Sequence, residues 1–97
     1  MSEHPVVIHV HGRRWYERTN SRTYHSVSVF VDGELVVREP FRYGYGDQYL
    51  WTATEELEKQ GLMPGREDRH EGLHRYCERL GVKLVVECDD VARKRDL

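Results

Sequence analysis

The segment His70-Glu71-Gly72-Leu73-His74 fits the pattern H-E-x-x-H. On a helix, residues four apart share a face, so His70 and His74 would both reach one Zn²⁺. Glu71 would then act as base on the metal-bound water. Such a centre needs a third protein ligand. The extended pattern with a further histidine fails, because Cys77 and Leu80 stand in its places. Glu87 and His9 or His11 are the remaining candidates. Gly72 weakens a helix in mid-motif, and the run is charged, where a shielded metal site is hard to build. A solvated helix face accounts for the same residues. A zinc-dependent hydrolase on HEGLH therefore ranks last among the functions considered, and no cofactor is expected.

A second group has stronger functional content. Arg13, Arg14, Trp15, Tyr16, Arg18 and Arg22 crowd one short stretch, with Tyr24 and His25 just beyond. Guanidinium groups bind phosphates and flat rings stack on unpaired bases, so this mixture suits nucleic acid. The competing reading is a twisted hairpin whose rings pack inward and whose arginines are solvated. No RNP-like run, GxxG loop or zinc finger accompanies the patch. His9 and His11 alternate on a strand about 7 Å apart, which suits a metal pair or simply a polar strand face. Tyr43-Gly44-Tyr45-Gly46-Asp47 has the look of a glycine-rich anion loop before a helix. No Gly-Lys-Ser/Thr follows it, and Asp47 would repel an anion, so a structural turn is expected.

The elements that must position these residues follow from periodicity. Pro5 to His11 alternates as a half-buried strand, with Gly12 a candidate bulge before Arg13 to Arg18, read as strand or loop. Thr23 to Val31 sets Val27, Val29 and Val31 on one face and Ser26, Ser28 and Phe30 on the other. Asp32-Gly33 closes a hairpin. A two-residue loop pairs Val31 with Glu34 and Val27 with Arg38, placing charges on the valine face. A three-residue loop with Gly33 left-handed in a bulge pairs Val29 with Leu35 and Val27 with Val37, so the bulged form is predicted. Pro40 ends the third strand or confines it to an edge.

Asp47 is the expected N-cap of a helix whose stripe is Leu50, Ala53, Thr54 and Leu57, with Gly61 stopping it. A second helix is read from Asp68 to Leu80, with Gly81 at its end, then a strand from Val82 to Cys88. Residues 89–97 read as a polar tail. The order is β-β-β-α-α-β in one domain. The predicted fold is α+β: an antiparallel sheet of three N-terminal strands plus one C-terminal strand, with both helices on one face. The opposite face would carry Val7, His9, Ser26, Ser28, Phe30 and Val36.

Bulk properties narrow the class further. With 97 residues, a third of them charged and ten per cent aromatic, the chain can build one core. It has no run apolar enough for a membrane span and no signal-peptide shape at its start, so a cytoplasmic protein with reduced Cys77 and Cys88 is expected. The formal net charge of −2 gives no overall attraction to nucleic acid. Charges are nevertheless segregated, basic at Arg13 to Arg22 and Arg93 to Arg95, acidic at Glu55 to Glu58 and Glu87 to Asp90.

The runs TYHSVSVFVDG and PFRYGYGDQYL, with the ending DDVARKRDL, resemble short proteins of tailed bacteriophages that carry no assigned activity. The resemblance implies an origin, a small phage or prophage protein acting in the host cytoplasm. It supplies no catalytic residue or cofactor, and HEGLH lies outside it. The leading expectation is a non-enzymatic binding protein that contacts nucleic acid through the basic and aromatic patch. A protein-interaction module acting on a host protein, or a homodimer, is the alternative.

Overall fold

The structure, a computed structural model, describes residues 6–66 and 70–97. Its elements are β1 (Val7–Glu17), β2 (Arg22–Val31), β3 (Glu34–Tyr43), α1 (Gln48–Lys59), α2 (Leu73–Leu80) and β4 (Lys83–Val91), then a short 3-10 turn at Lys94–Asp96. Among the described residues the strands form one 4-stranded sheet in the order β3-β2-β1-β4. The α+β class and the element order agree with the sequence reading; the strand directions do not. β4 runs parallel to β1, with Val7 beside Lys83 and Trp15 beside Val91, so the sheet is mixed rather than antiparallel. The chain leaves β3 at one edge, passes through both helices and enters β4 at the other. A parallel neighbour needs such a crossover, whereas a hairpin would have returned it antiparallel.

Strand alternation sorts the side chains into two layers. Ile8 and Val10 from β1, Val27 and Val29 from β2, and Val37 from β3 point at the helices. They share one core with Tyr49, Ala53 and Leu57 of α1 and Leu73, Tyr76 and Cys77 of α2. Both helices therefore cover the same face. Gly12 continues that buried row without a bulge. A Cβ there would stand 2.5 Å from the Tyr49 ring, so glycine lets α1 approach the middle of β1. The strand then runs straight on through Arg13 to Glu17.

The hairpin differs from the expected form. Asp32 (φ 51) and Gly33 (φ 86) are both left-handed, and Val31 pairs with Glu34 across a two-residue turn. The valine face is kept apolar by irregularities inside β3 instead. One register shift places Val29 opposite Val37 rather than Leu35, and a second, around Pro40, lies between the Val27–Glu39 and His25–Arg42 pairs. Because of the first shift, Val36 packs against the core and Leu35 takes the outer position beside Phe30. Pro40 sits within an edge strand at an irregularity, where a missing N–H costs the ladder little.

Asp47 occupies the N-cap of α1, yet its side chain makes no capping bond; the first turn closes through the Asp47 carbonyl, 2.9 Å from the Leu50 amide. At the far end Gly61 is left-handed (φ 70) and the Leu62 amide reaches the Leu57 carbonyl at 2.9 Å, which satisfies an orphan acceptor of the last turn. β4 extends through Val91, so Asp89 and Asp90 belong to the sheet. The expected start of the second helix at Asp68 lies outside the described residues.

Candidate functional site

Alternation along β1 divides the basic and aromatic patch. Arg13 and Trp15 point to the face that the helices leave open, opposite Ser26 and Tyr24 of β2. Arg14 points to the helix side. There its Nε and Nη2 donate to the two Asp90 oxygens at 2.9 and 3.4 Å, and its Nη1 donates to the Gly46 carbonyl at 3.3 Å. The bond to Asp90 raises the Arg14 pKa above its ordinary value, and the side chain ties β1 to β4 and to the connector before α1. Tyr16 shares that side of the strand but lies beyond the helices, 55 % exposed. Arg18 and Arg22 flank the β1–β2 turn and are exposed.

On the open face the rings form a ladder across three strands. Trp15 stacks on Tyr24 at 5.8 Å between centroids, Tyr24 stacks on Phe41 at 4.7 Å, and Tyr43 tilts against Tyr24 at 5.6 Å. The β1–β2 pairing puts Trp15 opposite Tyr24 and the β2–β3 pairing puts Tyr24 opposite Tyr43. The irregularity around Pro40 brings Phe41 onto the same side. Tyr43 is 62 % and Phe41 40 % exposed. Cations border the rings: Lys94 lies 4.8 Å from the Phe41 centroid. Arg13 is held by its Nη1 donating to the Asp96 carbonyl at 3.2 Å, and Arg38 by its Nη2 donating to the Leu97 main-chain oxygen at 3.3 Å. Residues 94–97 thus reach across from β4 over this face.

Acidic side chains are mostly drawn elsewhere. Arg42, on the helix side of β3, gathers Glu39, Glu55 and Glu56 at 3.2 to 3.5 Å. Arg66 faces Glu58, and Asp90 is taken by Arg14. On the open face, Glu87 and Asp89 line β4 beside His9 (3.6 Å) and His11 (2.9 Å). The half of the face built by β2 and β3 is therefore cationic although the whole chain is slightly acidic.

HEGLH and the glycines of the Tyr-Gly run lie away from this face. α2 begins at Leu73, with Gly72 an extended N-cap (φ −75, ψ 169), so HEGLH does not lie on one helix and His70 precedes it. The glycine that weakened the motif on paper marks its break. Glu71 is 5 % exposed and accepts from Arg79 Nε at 2.8 Å and Nη2 at 2.7 Å, a guanidinium clamp unsuited to a general base. The four-residue spacing that the zinc reading needs is thus not realised. Among the described residues no group of three or more His, Cys, Asp or Glu could hold a metal ion.

His25 is buried on the helix side. Gly44 O can only accept, so Nδ1 carries the proton to it at 3.1 Å, and Nε2 accepts from the Thr52 hydroxyl at 2.8 Å. Burial lowers the His25 pKa. Gly44 is left-handed (φ 153) and its missing Cβ would meet His25 at 3.0 Å. The Tyr-Gly run is therefore a turn built around this histidine.

Compared with known proteins, the chain matches no family model, no curated protein and no solved structure. Tyr43, Phe41, Arg38, Ser26 and Ser28 were not picked out as site residues from sequence. The Trp15–Tyr24 pair was within reach, since a four-residue turn between Glu17 and Arg22 aligns them. Phe41 joins only through the β3 irregularity, which no local pattern announces. No helix among the described residues is long and apolar enough to cross a membrane.

Proposed function

We propose that the open sheet face is a non-enzymatic platform for single-stranded nucleic acid. The observation that carries the reading is the ring ladder of Trp15, Tyr24, Phe41 and Tyr43, whose β3 rings Phe41 and Tyr43 are exposed, with Arg13, Arg22, Arg38 and Lys94 on the same face. Unpaired bases have π-faces whatever their sequence, so a row of rings on a rigid sheet accepts them without base-specific bonds. Cations beside the rings attract the backbone and make binding fall with salt. Arg14 holds the sheet together, and Arg18 and Arg22 supply charge at the end of the face.

Binding of a labelled oligothymidylate, followed by fluorescence anisotropy, tests the platform. Tyr43→Ala should weaken it by roughly 1–3 kcal/mol, the usual worth of one base–ring stack. Tyr43 is exposed, so thermal stability should hardly change. Absence of binding to any DNA or RNA strand at low salt would end the reading. A surface for a host protein or a second copy is the alternative, favoured by exposed Leu35 (51 %) beside Phe30 on the same face. Light scattering and loss of binding in Leu35→Asp, with Tyr43→Ala silent, would select it.

A further inference from the structure

Between the ring ladder and the His9–Phe30 pair, the open face sinks into a cavity of about 150 Å³ lined by His11, Arg13, Ser26, Ser28 and Arg38. We propose that this cavity is a binding site for a phosphate group. The sheet register builds it: Arg13 stands opposite Ser26, His11 opposite Ser28, and Ser28 opposite Arg38. Small serines on the central strand make the floor, and long cationic side chains from the strands on either side make the walls. Ser26 is only 3 % exposed, and it lines the cavity together with Ser28. A polar floor on a face with aromatic neighbours on both sides is costly unless a ligand or water meets it.

The guanidiniums are already oriented by oxygen acceptors. Arg13 gives one N–H to the Asp96 carbonyl, and Arg38 gives one to the Glu39 carbonyl and one to the Leu97 main-chain oxygen. These fix both planes and leave further donors on each. Asp89 is the acid at the rim, held against His11 at 2.9 Å; two guanidiniums outweigh it. A tetrahedral oxyanion has enough acceptors to engage both arginines and both hydroxyls at once. The phosphate site stands without the platform reading; only the assignment of the phosphate to a nucleic-acid strand rests on that reading.

Titrating the isotope-labelled protein with inorganic phosphate, at matched ionic strength, should shift the amides of Ser26, Ser28 and Arg38. Arg38→Ala, at an exposed position, should weaken the phosphate midpoint about tenfold, the loss of a charge-assisted bond, and Ser28→Ala should weaken it less. Phosphate that moves none of these amides, or binds Arg38→Ala as well as the parent, overturns the proposal. Oligothymidylates with and without a terminal phosphate separate the sources. Preference for the phosphorylated strand assigns the cavity to a strand end, and equal affinity that still depends on Arg38 assigns it to internal phosphodiesters. Phosphate binding without any oligonucleotide binding would overturn the platform and support the cavity. Oligonucleotide binding sensitive to Tyr43→Ala but indifferent to Arg38→Ala would support the platform and overturn the assignment of the phosphate to a strand.

Discussion

Replacing Gly12 with alanine probes the closest approach between the sheet and α1. The new Cβ would lie 2.5 Å from Cδ2, 2.8 Å from Cγ and 3.0 Å from Cε2 of Tyr49. Tyr49 is 5 % exposed and packed in the core, so its Cγ can retreat only if the helix backbone moves. Overpacking of this kind costs about 1–3 kcal/mol. Alanine in a strand recovers about 0.5–1 kcal/mol over glycine, leaving a net loss of about 1–2 kcal/mol. With a urea slope of about 1–1.5 kcal/mol/M for a small chain, the unfolding midpoint should drop by roughly 1 M, read by tryptophan fluorescence. The decisive measurement repeats the change in a Tyr49→Leu background, where the ring is gone. There Gly12→Ala should be neutral or stabilising by up to about 1 kcal/mol. The same loss in both backgrounds would refute the contact as the reason for glycine.

Acid should expose the buried histidine. Desolvation holds the folded His25 pKa below 6.5, so as pH falls the unfolded chain binds this proton first. Stability is full above about pH 7 and declines below the unfolded value, by at most about 1.4 kcal/mol per pH unit, until the folded group titrates too. Urea midpoints of the parent and His25→Gln between pH 7 and 5 should diverge in slope; parallel lines would contradict it. At the β2–β3 hairpin, Asp32 Oδ1 accepts from the Val6 and Val7 amides at 3.0 and 2.9 Å. Asp32→Ala should therefore lose about 1 kcal/mol or more in thermal unfolding, whereas Asp32→Asn, which keeps the acceptor and tolerates the left-handed turn, should lose little.

The strands were legible because period-two alternation reports which face is buried, and the valines of β1 and β2 alternate cleanly. The direction of β4 was not, since Val82, Leu84, Val86 and Cys88 alternate identically beside a parallel or an antiparallel neighbour. The hairpin departs from its local pattern for a physical reason. The demand for one apolar face was right, but the chain meets it by slipping at Val36 rather than in the turn. The burial of Tyr49 in α1 has no local signal, because it depends on Gly12, a residue more than thirty positions away. The candidate site shares that character. Arg13 and Trp15 could be named from composition, while their partners Ser26, Arg38, Phe41 and Tyr43 become neighbours only once registers and irregularities are known. HEGLH runs in the opposite direction: its spacing presumes one helix, and its glycine instead stands at the N-cap, where α2 begins.

The parallel pairing of β1 with β4 has a consequence for how the molecule is made. The contact between His11 and Asp89 spans 78 positions, and all of the β1–β4 ladder closes loops of that order. The meander of β1, β2 and β3 can form as each hairpin leaves the ribosome. β1 must then wait, with one edge open, until both helices and β4 have been synthesised and docked. High contact order of this kind slows folding, and an open strand edge meanwhile invites pairing with other chains. The charges at Arg13 and Arg14, which later bond Asp96 and Asp90, also lie on that waiting edge and discourage such pairing during the interval.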